Sequence, residues 1–185
     1  MVSVEIHSRV AAFHRALAED PHHRYRSWEH CYCFFQRINP ADLSDHRETA
    51  ALQLGFYLAS WGMYRGSSFL LQRAYTAHLG VIDCLVKPRF APLWKKDVGA
   101  ASEDSELVPI ILDAVDEVRD AYAPFGKPTD TLVTKVLLGT FGCLPACDRF
   151  FVDGFRLAGF QYSRLNARFV ERVIRFSQDK ISDLR

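Results

Sequence analysis

The amino-acid sequence predicts an all-α fold, a compact single domain of seven to nine helices over residues 1–185. Apolar residues recur at helical spacing in several separate segments, and capping residues, prolines and glycines bound those segments. No run alternates apolar and polar residues as a half-buried strand would. With 185 residues, of which 49% are hydrophobic and 24% charged, the chain can bury a core of ordinary size.

The first two predicted helices have clear boundaries. An apolar stripe marks the first helix and consists of Ile6, Val10, Phe13 and Leu17. Asp20-Pro21 predicts the start of the second, because a capping residue precedes a proline at the first helical position. Asn39-Pro40 predicts its end, since the residue before a proline avoids the α conformation.

Two more helices are predicted before the middle of the chain. Asp45 and Glu48 form a capping pair for the third, which reaches Trp61. Glycines interrupt the chain there, and the fourth helix is expected from Ser68 to about Val86. The third contains the longest stretch without a charge, which is too short to span a membrane, so we expect no membrane insertion.

The next two helices are predicted from their acidic first turns. Ser102 is followed by several carboxylates, which suit the positive end of a helix dipole, and the helix that it opens ends at Tyr122. Asp130 is the predicted cap of a short helix through Leu138. Two further helices are expected, one from near Ala146 and one from Ser163.

The bulk composition indicates a cytoplasmic protein. The net charge is +1, so any contact with nucleic acid needs a local basic patch. Charged residues interrupt the N-terminal apolar segment, which argues against a secretory signal. The five cysteines follow no disulfide framework spacing and are expected to be reduced.

The cysteines and histidines predict neither a metal site nor a cofactor. Cys31 and Cys33 are separated by one residue beside His30, and no second ligand pair follows, so we expect no bound zinc. Cys143 and Cys147 flank a proline near a helix start, which can activate a thiol. A catalytic cysteine also needs a base, and structural thiols are the preferred interpretation.

Charge is segregated along the chain. Residues 97–130 contain nine acids and two bases, whereas residues 149–180 contain seven bases and three acids. The basic segment begins at Arg149 and includes a predicted arginine stripe of the last helix, formed by Arg164, Arg168, Arg172 and Arg175. An acidic stripe on the earlier helix consists of Asp113, Asp116, Glu117 and Asp120. The arginines are predicted either to bind the phosphates of DNA or to pair with the acids, within one molecule or across a homodimer.

Residues 54–71 are rich in aromatic residues and glycines. Trp61, Tyr64 and Arg65 lie on the turn in this segment and form a candidate pocket that stacks a planar ligand. The alternative is ordinary hydrophobic packing around a tight turn between two helices.

The segment Thr129 to Arg156 resembles the helix-hairpin-helix DNA glycosylase superfamily. Its order is a short helix, a turn containing glycine and proline, and an aspartate that opens an aromatic helix. The resemblance implies a glycosylase-like fold in which Asp148 is the catalytic carboxylate. The alternative is that Asp148 is an ordinary helix cap, since an aspartate at this position accepts a hydrogen bond from a free backbone amide. The segment departs from that family in its hairpin, which has one glycine, and at Thr131, where lyase-type members have a lysine; Lys135 lies elsewhere on the same helix.

Two functions follow as hypotheses. One is a DNA-associated helical protein with a glycosylase-like fold, active or degenerate, which uses Asp148 and the basic C-terminal residues. The other is a non-catalytic helical interaction module that dimerises or binds a protein partner. Salt dependence separates them, because phosphate binding weakens steeply as salt rises.

Overall fold

The computed structural model describes residues 6–162 and 164–180, apart from the side chains of residues 102 and 103. This part of the chain is all-α and contains no strand, which confirms the predicted fold class. It contains eight α-helices, within the predicted number: α1 (Ile6–Glu19), α2 (Arg26–Arg37), α3 (Arg47–Ser60), α4 (Leu79–Leu85), α5 (Val108–Tyr122), α6 (Asp130–Gly139), α7 (Arg149–Leu157) and α8 (Ala167–Asp179). Five short 3-10 segments connect them: Pro40–Asp42, Phe69–Gln72, Tyr75–His78, Pro88–Leu93 and Ser102–Leu107.

The core surrounds α3 and α6. Helix α3 packs against α2, α4 and α6, while α5 packs against α4, α6 and α8. Every side chain of α6 from Leu132 to Leu137 is buried, including the charged Lys135. A helix buried on all sides is central to a fold, so α6 holds its one lysine inside the protein.

The predicted fourth helix, Ser68 to about Val86, is wrong over most of its length. Two 3-10 turns precede α4, and the backbone is extended at Arg73 and Ala74 between them. The extended step brings Tyr75 and His78 against α3, where a Cβ on Gly55 would lie 3.1 Å from the His78 ring. The chain makes these side-chain contacts in place of the backbone hydrogen bonds that a continuous helix would form.

Several predicted helix starts are displaced. Asp20 accepts a hydrogen bond from the His22 amide, which closes a local turn, and α2 begins only at Arg26. Helix α6 is capped by Thr129, whose Oγ1 accepts from the Leu132 amide, and not by Asp130. An aspartate can cap its own turn or bond more distant groups, and the tertiary contacts decide between these roles.

The starts of α5, α7 and α8 also differ from those predicted. The segment Ser102–Leu107 is a 3-10 turn before α5. Helix α7 begins at Arg149 rather than near Ala146. The predicted start at Ser163 lies outside the described residues, and α8 begins at Ala167 after Asn166, whose side chain accepts from the Phe169 amide.

Candidate functional site

Asp148 lies at the N-terminal end of α7, after a rigid turn. Gly142 adopts a left-handed conformation, φ +72°, that favours glycine. Two threonines of α6 then hold the chain before Asp148: Thr134 accepts from the Cys147 amide at 2.8 Å, and Thr131 donates to the Cys147 carbonyl at 2.9 Å. Asp148 Oδ1 accepts from the Phe151 amide at 3.1 Å, so the residue is the helix cap that its position predicts.

The second carboxylate oxygen of Asp148 faces Lys135. Lys135 Nζ lies 3.8 Å from Asp148 Oδ2 and donates to the Trp61 carbonyl at 2.9 Å. The Lys135 side chain is 7% exposed and that of Asp148 24%. Burial lowers the pKa of Lys135, the Asp148 charge opposes this shift, and the positive charges of Arg65 and Arg24 lower the pKa further. The lysine therefore joins α3, α6 and the cap of α7 at one point.

Aromatic rings form one wall of this site. The Trp61 ring lies 5.6 Å from that of Tyr57 and 5.3 Å from that of Tyr25, and Lys135 Nζ lies 5.7 Å from the Trp61 ring centre. Tyr57 is fully buried, and burial raises its pKa. Neither the Tyr57 hydroxyl nor Trp61 Nε1, both buried, has a hydrogen-bond partner among the residues that the structure describes. Two buried donors of this aromatic wall are therefore unpaired among the described residues.

Positive charge surrounds the open side of the site. Arg24 and Arg65 are exposed, and the Arg24 guanidinium lies 5.4 Å from the centre of the Tyr25 ring. Neither arginine forms a salt bridge with another described residue. Arg65 also lines a pocket of about 440 Å³, together with Lys127 and the hydroxyl-bearing residues Ser67, Ser68 and Thr129. The surroundings of Asp148 are therefore basic and aromatic.

The structure separates the three residues of the predicted ligand pocket. Trp61 belongs to the Asp148 site and Arg65 lies within electrostatic range of it. Tyr64 does not belong to this site, because its hydroxyl is hydrogen-bonded to His78 Nε2 at 2.6 Å. The sequence places the three residues on one turn, but their side chains diverge from it.

The predicted arginine stripe is correct for three of its four members. Arg168, Arg172 and Arg175 are spaced by four and three residues, so they lie on one side of α8. Arg164 precedes the helix, because the Asn166 backbone is extended and ends the helical spacing there. Arg149 is the exposed first residue of α7, next to Asp148.

Two of the four acids in the acidic stripe of α5 pair with other bases. Glu117 forms salt bridges with Lys87, at 2.5 Å, and with Arg89, while Asp116 pairs with Arg119 at 3.0 Å. Within the described ranges, no arginine of the α8 stripe forms a salt bridge with an acid of α5. Pairing of the two stripes inside one molecule is therefore not found there.

The cysteines have structural surroundings. Burial raises the pKa of both Cys143 and Cys147 to about 12, so both thiols keep their proton at neutral pH. Cys31 is buried and donates to the Gly139 carbonyl, whereas Cys33 is exposed. In the described part of the chain, no three histidine, cysteine or acidic side chains are arranged to hold a metal ion.

No family model, curated protein or solved structure matches this chain. Among the described residues, no helix combines the length and hydrophobicity that crossing a bilayer requires. The site therefore has to be interpreted from its own geometry.

Sequence reasoning missed three of the residues around Asp148. Lys135 was noted only for its place on the helix, and neither Arg24 nor Tyr25 was predicted to belong to a site. One signal was present: Lys135 is the only charge within an apolar helical run, LVTKVLLG, and a charge there must be buried. No local pattern places Arg24 or Tyr25 beside α6.

Proposed function

We propose that this protein binds DNA and removes a base from it, with Asp148 as the catalytic carboxylate. The observation that carries the proposal is the Asp148 side chain itself, part-exposed beside the buried ammonium of Lys135, which also lies 5.7 Å from the centre of the Trp61 ring. Ionisable groups with shifted pKa values beside aromatic rings are typical of functional sites. Arg24 and Arg65 supply the positive charge that a DNA backbone requires.

In the proposed reaction, an extruded base stacks on the aromatic wall of Trp61 and Tyr25. The bond between the sugar C1′ and the base nitrogen breaks, and its electron pair leaves with the base. The Asp148 carboxylate stabilises the positive charge that develops on the sugar. Water then supplies a hydroxyl to C1′ and a proton to the departing base, so no cofactor is needed. Lys135 is a positioning residue whose ammonium faces the second carboxylate oxygen and orients it.

Base release from synthetic duplexes tests the proposal. The duplexes carry one deaminated, oxidised or alkylated base each, and release is measured under single-turnover conditions for the wild type and for Asp148→Asn. Asparagine caps a helix about as well as aspartate, so the melting temperature stays within a few degrees. The rate constant for base release falls by at least about 100-fold, because the stabilising negative charge is lost.

The matched control is Asp153→Asn. Asp153 is an exposed carboxylate of the same helix, 3.5 Å from Arg156. This variant keeps the wild-type rate. Equal rates for the wild type and Asp148→Asn, or no release from any duplex, refute the proposed reaction.

A second function, a helical interaction module, has support at a different surface. Leu52 and Phe56 are exposed large apolar residues one turn apart on α3. Phe56 also lines an open groove of about 920 Å³ between α2 and α3, with Phe34 and Ile38. Paired apolar residues on a helix are typical of a partner or dimer contact. Leu52→Lys with Phe56→Lys then converts a dimer to a monomer in sedimentation velocity, whereas an unchanged monomer excludes the homodimer.

We further propose a cytoplasmic location. All five cysteines are free thiols in the structure, and four of them are buried. Free buried thiols are typical of a reducing compartment. Fractionation of the cells that express the protein, followed by immunoblotting, tests this location.

A further inference from the structure

A concave surface lies along α7 and α8. It is a groove of about 490 Å³ between the turn after α6, helix α7 and helix α8. Five phenylalanine rings line it: Phe150, Phe151, Phe155, Phe160 and Phe176. The groove is therefore apolar and rich in aromatic rings, and its lining includes the turn before Asp148 and the helix after it, but not Asp148 itself.

The inner rings of the groove form a fixed wall. The Phe155 ring stacks on Phe151 at 5.4 Å and on Phe160 at 4.9 Å. The outer rings are available to a ligand, since Phe150 is 73% exposed and Phe176 38%. No aromatic ring of a described residue packs against either outer ring.

The floor of the groove next to Phe150 is open. Gly154 lies one turn after Phe150 on α7, and a Cβ at Gly154 would meet no atom within 4 Å. A flat group placed on the Phe150 ring therefore has room beside it. Phe150 is also accompanied by Arg149, whose guanidinium lies 5.4 Å from the ring centre.

One arginine of α8 lies at the edge of the groove. Phe176 lies one turn after Arg172, so these two side chains are neighbours, whereas Arg168 and Arg175 lie further round α8 by helical periodicity. The surrounding segment, residues 149–180, carries seven bases and three acids. A polyanion complements this surface.

We propose that the α7–α8 groove binds single-stranded nucleic acid, with bases stacked on Phe150 and Phe176 and phosphates bound by Arg149 and Arg172. Exposed rings beside basic side chains are the combination by which proteins hold single strands. This inference rests on the proposed action on DNA, and it names the form of the substrate as single-stranded or locally opened DNA. An acidic helix of a protein partner needs apolar surface but no ring face, which makes the two occupants separable by experiment.

Fluorescence anisotropy with a fluorescein-labelled oligothymidylate of about 15 nucleotides tests the inference. Phe150→Leu keeps an apolar side chain but removes the stacking face, and it weakens binding by about tenfold. Phe150→Tyr keeps the ring and binds within about twofold of the wild type. Because Phe150 is mostly exposed, both variants retain the wild-type melting temperature.

Salt dependence tests Arg172. Arg172→Gln weakens binding and lowers the slope of log affinity against log salt by about 0.7, the value for one contact with a single-strand phosphate. The matched control is Arg156→Gln. Arg156 is an exposed arginine that does not line the groove, and it lies on the opposite side of α7 by helical periodicity. This control keeps both the affinity and the slope of the wild type.

Three results overturn the inference: no binding of the oligonucleotide by the wild type, wild-type affinity of Phe150→Leu, or binding of a glutamate-rich helical peptide in place of the oligonucleotide. The test is independent of base release, because Asp148→Asn binds the oligonucleotide as the wild type does. Base release without oligonucleotide binding refutes only the proposal that the groove binds single strands. Oligonucleotide binding without base release refutes the proposed reaction alone.

Discussion

Two clusters of buried ionisable groups lie against α3, and they differ in how fully their polar atoms are paired. His78 is fully buried, and both of its ring nitrogens are hydrogen-bonded, to Tyr64 at 2.6 Å and to Tyr122 at 2.7 Å. Lys135 is also buried, but its neighbour Asp148 is part-exposed. Beside Lys135, the Tyr57 hydroxyl has no partner within the described residues.

The difference separates a structural role from a chemical one. Burial lowers the pKa of His78 to about 4, so the ring is neutral at physiological pH and is enclosed by its two tyrosines. The network of His78 is complete and stabilises the fold. The Lys135 cluster is incomplete and reaches the surface through Asp148. A buried polar cluster is therefore a candidate site only where it leaves groups that a ligand can pair.

The largest expected effect on stability is at His78. His78→Leu leaves the buried Tyr122 hydroxyl and the part-buried Tyr64 hydroxyl without their partner and lowers the free energy of unfolding by about 3 kcal/mol. Lys135→Met is the matched change in the other cluster. It costs about 1 kcal/mol, because Asp148 keeps its bond to the Phe151 amide and its contact with solvent. Urea unfolding measures both, and a larger loss for Lys135→Met contradicts the comparison.

The next largest effect is the dependence of stability on pH that the titration of His78 causes. Its folded pKa of about 4 lies below the ordinary 6.5, so between these values the unfolded chain binds the proton more tightly. Stability is present above about pH 6.5 and is lost as pH falls towards 4. From pH 7 to pH 5 the expected loss is about 2 kcal/mol more in the wild type than in His78→Gln, which cannot titrate. Equal losses in urea unfolding contradict a buried neutral histidine.

The smallest expected changes in stability are at the two glycines that let Tyr57 and His78 pack closely against a helix. A Cβ on Gly139 would lie 2.6 Å from the buried Tyr57 ring, whereas one on Gly55 would lie 3.1 Å from the His78 ring. Gly139→Ala lowers the free energy of unfolding by about 1–2 kcal/mol, because the ring must move. Gly55→Ala is close to neutral, since the gain in helix propensity offsets a small shift. Thermal melts that rank the two variants in the reverse order contradict the packing described for Tyr57.

The predictions are correct where residues close together in the sequence determine the structure. The first helix, the end of the third and the cap at Asp148 depend on residues within one turn of one another, which are visible in the sequence. The prediction of the fourth helix is wrong because contacts of Tyr75 and His78 with α3 outweigh the helical periodicity of this segment. Asp130 failed as a cap because its carboxylate accepts instead from Tyr162 and Arg119, which are far along the chain.

The site was predicted in part for the same reason. Asp148 follows a recognisable turn and was found. Lys135 was not assigned a role, because its contact with Trp61 joins residues 74 positions apart. The pairing of Tyr64 with His78 likewise depends on how the turn after α3 folds back, which no spacing indicates.

The sequence by itself determined the helical class, most helix segments, the segregation of charge and the aspartate at the start of α7. These properties depend on spacing and capping within about four residues, the range of a helical hydrogen bond. Only the tertiary structure decided which distant groups come together: Lys135 with Asp148 and Trp61, His78 with its tyrosines, and the exposed ring of Phe150 with the groove. These contacts depend on the packing of helices that are distant in the chain. Side-chain volume and the pairing of buried polar atoms determine how those helices are arranged.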